Sequence, residues 1–262
     1  MTDNDTSARA FAPQLRDLPR ALALLTRLPL PGAAFPPNDT RPGAYAAWAY
    51  PLVGLVVGVL ATLAATLSLW LGLTPGIAAL LVLLASALCT GAMHEDGLAD
   101  CADGFWGGWT RERRLAIMKD SQIGTYGVLA LGINFGLRWI ALSAIIVLPG
   151  WALVVIGVAM ASRGMMSVVM YALPNARENG LSRQTGRPPQ GATYLAGGLA
   201  LVGCAIALPA NAVLLMLAAC LAALCVALVA KVKIKGQTGD VLGATQQIVE
   251  TILLLTCLAV LT

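Results

Sequence analysis

Long apolar runs separated by short polar connections dominate this chain. Seven of them cover about residues 44–71, 76–93, 125–148, 151–172, 191–209, 211–230 and 242–261. Each is long enough to cross a hydrocarbon core of about 30 Å. None alternates with period two, and a backbone in lipid must satisfy its own hydrogen bonds, so the pattern predicts helices, not strands. The fifth and sixth runs are split only by Pro209 and Asn211, and no internal repeat is visible. Ahead of them, Leu15, Leu18, Leu22 and Leu25 share one face of a helical stretch over residues 14–30, with Arg16, Arg20 and Arg27 within reach of headgroups. That predicts an amphipathic helix lying in the membrane surface. Pro29, Pro31, Pro36 and Pro37 end it as an extended linker. Residues 1–12 read as a disordered polar tail, and 13–262 as a single transmembrane domain. No signal peptide is expected, because the apolar stretch Ala21–Leu25 is short and flanked by arginines.

Composition agrees with an all-α, polytopic integral membrane bundle. Of the 262 residues 58% are hydrophobic and 11% charged, against about 25% charged in soluble domains. The connections near 72–75, 149–150 and 210 carry no Lys or Arg. The N-terminal segment and the connections holding Arg111, Arg113, Arg114 and Lys119, then Arg177, Arg183 and Arg187, then Lys231, Lys233 and Lys235 carry the basic residues outside the spans. The positive-inside bias makes that side cytoplasmic, with the N-terminus in and the C-terminus out. A net charge of +4, spread over loops, argues against a nucleic-acid partner. One His and six Cys without a Cys-x-x-Cys pair offer no zinc site.

Chemistry concentrates in His94-Glu95-Asp96-Gly97-Leu98-Ala99-Asp100-Cys101-Ala102-Asp103-Gly104, directly after the second apolar run. Asp96, Asp100 and Asp103 are spaced i, i+4, i+7, within an arc of about 60° on a helix. Three carboxylates on one face repel one another unless a cation sits between them, and oxygen-only ligands suit Mg²⁺ with substrate phosphates. The plainer alternative is a set of solvated acids near a helix start. In the second stretch, Ile117–Gly127, Lys119 is a phosphate-binding point charge or a topology signal. Asp120 is a further metal ligand or a base, and Gly124 and Gly127 would let the backbone approach a ligand. The third is Gln237-Thr238-Gly239-Asp240, where Thr238 or Asp240 may equally cap the last helix. Glu250, Arg138 and Arg163 lie inside spans, so they should face protein or water and find polar partners, either one another or a substrate phosphate. Loop 173–190 is rich in donors for a polar ligand. No nucleotide fingerprint or hydrolase triad occurs in a credible context. The motifs favour metal-assisted transfer on a phosphate-containing substrate.

The three motifs together, with Ser162-Arg163-Gly164 and Thr26-Arg27-Leu28-Pro29, resemble the cobalamin synthase family, also called adenosylcobinamide-GDP ribazoletransferase. The resemblance covers about residue 14 to the end. It implies an inner-membrane, Mg²⁺-dependent enzyme working on the cytoplasmic face, in association with other late cobalamin-pathway enzymes. Such an enzyme joins adenosylcobinamide-GDP to α-ribazole or its 5′-phosphate and releases GMP. On this resemblance Asp96, Asp100 and Asp103 hold the metal, and Asp120, Asp240 or His94 takes the hydroxyl proton. Lys119, Arg163, Gln237 and Thr238 bind substrate. Glu95, about 100° off the three-aspartate face, is not expected to be a primary ligand. Two other classes share part of this pattern. A CDP-alcohol phosphotransferase also uses an Asp-Gly pair, but here Asp96-Gly97-Leu98-Ala99 is followed by Asp100 and not Arg. A transporter would place its polar groups at midplane within inverted repeats.

Overall fold

The computed structural model describes residues 11–30 and 41–262. Most of the expected N-terminal tail and the linker prolines Pro31, Pro36 and Pro37 lie outside the described residues. The helices are α1 (Asp17–Leu25), α2 (Tyr50–Trp70), α3 (Pro75–Thr90), α4 (Met93–Gly107), α5 (Arg111–Ile117), α6 (Thr125–Ile145), α7 (Trp151–Ala172), α8 (Leu181–Thr185), α9 (Gln190–Ala207), α10 (Ala212–Ile234) and α11 (Gly239–Leu261). A 3-10 turn, Gly43–Ala49, leads into α2, and another, Pro209–Asn211, separates α9 from α10. Prolines sit where their missing N–H does least harm, with Pro51 and Pro75 in the first turns of α2 and α3.

Among the described residues, six helices are long and apolar enough to cross a membrane: α2 with its 3-10 turn, α6, α7, α9, α10 and α11. The remaining expected span is built differently. The 16-residue α3 reaches the required hydropathy and length only together with α4, and the two are bent by 90°. At 1.5 Å per residue α3 is about 24 Å long, short of the hydrocarbon core. Its stop is local. Gly91 (φ 65°) and Ala92 (φ 57°) are both left-handed, and the Ala92 N–H reaches back to the Ala87 carbonyl at 2.8 Å. Ala92 holds that conformation at a cost of roughly 1–2 kcal/mol. The acidic helix α4 therefore turns away from α3 and lies outside the six spanning helices.

α7 is the central helix. Fifteen of its residues, from Val154 to Met170, are buried, against α2, α9, α10 and α11. Small residues permit this, since lipid gives helices little hydrophobic reason to associate and close contact must supply the energy. A Cβ placed on Gly203 of α9 would lie 2.7 Å from the Gly157 carbonyl oxygen of α7. Outward-facing Leu63 and Leu67 on α2 and Leu217, Leu221, Leu224 and Leu228 on α10 are exposed, as a lipid-facing surface requires.

The N-terminal amphipathic helix forms within the expected stretch, over Asp17–Leu25. The leucine face of α1 is turned onto the protein: Leu25 is buried, Leu18 and Leu22 pack on the core, and Leu15 stays exposed. The anchor is the fully buried Asp17, which accepts from Arg41 Nε at 2.9 Å, Arg41 Nη2 at 2.9 Å and Trp48 Nε1 at 2.9 Å.

All three internal basic connections gather at one end of the bundle. Arg111 donates to the Ile234 and Ala176 carbonyls at 2.9 and 2.6 Å, and Arg114 to Lys233 at 3.0 Å. Asn175 and Gln237 pair through an isolated bridge, with Gln237 N–H to the Pro174 carbonyl and Ala176 N–H to the Gln237 carbonyl, both at 2.8 Å. These ties hold the loop after α7 against the start of α11, where the candidate chemistry sits.

Candidate active site

Helix α4 crosses the first turns of α11 in close contact, and glycine decides how close. A Cβ on Gly97 would lie 2.7 Å from the Asp240 carbonyl oxygen, and one on Gly243 would lie 3.2 Å from the His94 Cα. The Asp-Gly and Leu-Gly-Ala pairs of the sequence are thus two sides of one helix crossing. Its consequence is electrostatic. Asp96 and Asp100 on α4 face Asp240 on α11. Burial, and then the neighbouring Asp240 and Asp96 carboxylates, push the Asp100 carboxyl up to about 7. Arg177, whose Nη1 lies 3.2 Å from Asp240 Oδ2, is the cation paired with this group.

Asp103 follows the predicted arc but has other partners. Its Oδ2 accepts the Gly124 N–H at 2.7 Å and its Oδ1 the Gly127 N–H at 2.9 Å. It thereby caps the start of α6 and satisfies two of that helix's free amides. Gly124 and Gly127 are indeed approached closely, and the approaching group is this carboxylate; a Cβ at either position would collide with it. Among the described residues no set of three His, Cys, Asp or Glu side chains is grouped as a metal cage. Asp96, Asp100 and Asp240 still suit magnesium, which is held by one or two carboxylates plus substrate phosphates more often than by an all-protein cage.

Two cavities flank α4 and share Asp96. One, of about 170 Å³, is lined by Asp96, Asp240, Asn175, Arg177, Asn179, Ser182, Arg183, Gln237 and Thr238 among others. The second, of about 520 Å³, is lined by Glu95, Asp96, Asp100, Lys119 and Asp120 among others. Lys119 Nζ donates to Asn179 Oδ1 at 3.2 Å and so joins the two. Thr238 caps α11 by accepting the Val241 N–H at 3.4 Å and donates to Asp240 Oδ2 at 3.1 Å. Gln237 donates to Asn175 Oδ1 at 2.8 Å and accepts from Ser182 Oγ at 2.8 Å.

Deeper in the bundle lies a separate polar network. Arg138 of α6 pairs with Glu250 of α11 and donates to Gln247 Oε1 at 2.7 Å. Gln246 also donates to Glu250, and Ser162 Oγ donates to it at 3.3 Å. Arg163 Nη1 lies 3.8 Å from Glu250 and donates to the Ala159 carbonyl at 3.1 Å. Gln247 Nε2 donates to Glu95 Oε1 at 2.9 Å, linking this network to the wall of the larger cavity.

Of the expected site residues, Asp96, Asp100, Lys119, Asp120, Gln237, Thr238 and Asp240 are brought together around the two cavities. His94, 1% exposed, and Arg163, 2% exposed, are buried and line neither. Asp103 is turned to α6. In the sequence Asn175, Arg177 and Asn179 stand out only as donors of loop 173–190, and Arg183 only as a basic residue of that connection. The one signal was the donor-rich loop, and its register against α11 depends on the Asn175–Gln237 bridge.

Residues 17–258 match the family model described as cobalamin-5-phosphate synthase. Among curated proteins, the chain is 45% identical over 248 residues to adenosylcobinamide-GDP ribazoletransferase of Bradyrhizobium diazoefficiens, covering 94% of each chain. It is 44% identical to the protein of the same name from Rhizobium etli, over 89% of this chain and 93% of that one. With the Brucella canis protein of that name the identity is 43%, over 88% and 92%. No solved structure gives a significant match. The glycine-packed crossing of α4 and α11 and the motifs it unites thus sit in a chain that belongs to the cobalamin-5-phosphate synthase family.

Proposed function

We propose that this chain transfers the cobinamide-phosphate group of adenosylcobinamide-GDP to α-ribazole or its 5′-phosphate, releasing GMP and closing the nucleotide loop of a cobalamin. The observation that carries this reading is the match, over about nine-tenths of the chain, to relatives named for that transfer. The same match disfavours a CDP-alcohol phosphotransferase or a transporter.

In the reaction a ribose hydroxyl oxygen attacks the phosphorus on the cobinamide side. A new O–P bond forms, the bond to the GMP phosphate breaks, and GMP leaves with the electron pair. Asp120 and Asp240 border the cavities and are the groups placed to accept the hydroxyl proton. His94, buried away from both, is not. Asp96 and Asp100, with Asp240, would hold Mg²⁺ together with the diphosphate. Magnesium bound there neutralises phosphate charge. Asp103 supports the site by fixing α6, while Lys119 and the amides of Asn179 and Gln237 orient the substrate. Arg163 acts through Glu250 in the bundle core. The protein resides in the bacterial inner membrane, with its site and N-terminus on the cytoplasmic side, its C-terminus outside, and neighbouring pathway enzymes as partners.

The test uses purified protein in detergent or liposomes with adenosylcobinamide-GDP and α-ribazole, with and without Mg²⁺. GMP and cobalamin should form together and only with metal. Folded protein that forms neither in the presence of Mg²⁺ overturns the reading.

A further inference from the structure

The two cavities differ in what they offer a ligand. In the smaller one, Asn175 Oδ1 is occupied by Ser182 at 3.2 Å and Gln237 at 2.8 Å, and Asn179 Oδ1 by Lys119 at 3.2 Å. The amide nitrogens of Asn175 and Asn179 are left to donate. Arg183 lines the same wall and makes no hydrogen bond or ion pair with the described residues. Arg177, on that wall too, keeps a buried Nε without a partner. Asn175, Asn179 and Arg183 thus bring uncommitted donors to a cavity that Asp96 and Asp240 also line, while Arg177 is already paired with Asp240. Free donors and carboxylates lining one cavity suit a phosphate group whose oxygens share a cation with the acids. The larger cavity is the reverse: Glu95, Asp96, Asp100 and Asp120 face it against Lys119 alone. Of the two acceptors in the proposed reaction, neutral, hydroxyl-bearing α-ribazole suits this acidic cavity better than its 5′-phosphate. Size agrees. About 170 Å³ is below the roughly 300–1,000 Å³ of a pocket that encloses a whole ligand, so it takes a phosphate end. About 520 Å³ accommodates a ribose and part of its base.

We infer that the loop wall of Asn175, Asn179 and Arg183 is the subsite for the phosphate of the departing nucleoside monophosphate. The acceptor enters through the larger cavity, and the two meet across Asp96. This rests on the proposed transfer reaction for the identity of the leaving group. Arg183 is exposed and unpaired among the described residues, so its removal leaves the fold intact.

The experiment measures GMP binding to the full-length protein in detergent by calorimetry, and GMP product inhibition during turnover. Arg183→Ala should weaken GMP by roughly 10- to 100-fold, the loss of a charge-assisted hydrogen bond. The KM for α-ribazole should stay within about twofold. Arg187→Ala is the control. It removes the same charge from the same segment, but its guanidinium lies 4.7 Å over the Tyr171 ring and donates to the Tyr171 carbonyl at 2.9 Å, off the cavity. GMP affinity should not change in that variant. Equal losses in both variants, unchanged GMP affinity in Arg183→Ala, or a rise in the α-ribazole KM instead would each overturn the subsite. A wild-type protein that binds GMP through Arg183 but releases none from adenosylcobinamide-GDP would overturn the reaction and leave the anion subsite standing.

Discussion

Two groups of charged side chains, both anchored on α11, have opposite character. In the bundle core, Arg138 and Arg163 meet Glu250, and Gln246, Gln247 and Ser162 supply further hydrogen bonds. Charges taken out of water survive only when paired, and here Glu250 together with Glu95, 3.8 Å from Arg138, offsets the two guanidiniums, although the Nε atoms of Arg138 and Arg163 have no hydrogen-bond partner. At the start of α11, Asp96, Asp100 and Asp240 crowd together with Arg177 as counter-charge, and Asp100 is pushed up to about 7. That group is not balanced by its surroundings. The comparison separates charge paired inside the bundle from charge left crowded at a cavity, where the proposed transfer would bring a substrate phosphate and a cation.

The largest effect should come from breaking the balanced group. Glu250→Gln leaves buried Arg163 without a carboxylate and Arg138 with Glu95 alone, 3.8 Å away, which should cost about 3–5 kcal/mol of stability; thermal melting in detergent reads this as a large drop in midpoint or as failure to accumulate folded protein. Asp100→Asn should do the opposite. Melting should be unchanged or slightly raised because repulsion is relieved, while GMP release falls at least about 100-fold, near 2.7 kcal/mol of transition-state stabilisation. Parallel losses of stability and activity in Asp100→Asn would erase the distinction. Asp103→Ala sharpens it. Losing the acceptor for the Gly124 and Gly127 amides should cost about 1–3 kcal/mol of stability, and the Mg²⁺ concentration for half-maximal residual activity should not move. A shift in that concentration would return Asp103 to the metal group.

The smallest effect is one of pH. A carboxyl raised in the folded state binds its proton more tightly there than in the unfolded chain. Asp100 therefore makes stability fall as pH rises from the ordinary carboxylate range to about 7, with no further change above. Melting curves without divalent cations should show that slope, and Asp100→Asn should flatten it.

The sequence by itself determined the class, six of the seven expected spans and the motifs. Apolar length forces helices in lipid, the basic connections fall at one end, and the acids of α4 announce themselves against an otherwise uncharged chain. The three motifs also sufficed for the family. Tertiary structure decided which acids act together. Asp96, Asp100 and Asp103 share one arc of a helix, yet an arc says nothing about what packs on each edge of it. The α6 amides occupy Asp103, whereas the Gly97–Asp240 contact brings a carboxylate from 140 residues away to Asp96 and Asp100. Left-handed Gly91 and Ala92 turn α4 off the axis of α3, which no hydropathy pattern reports. Likewise Arg138 and Arg163 read equally well as phosphate ligands or as partners of Glu250. The tertiary structure places Glu250 between them, as an ion that far from water takes the nearest opposite charge.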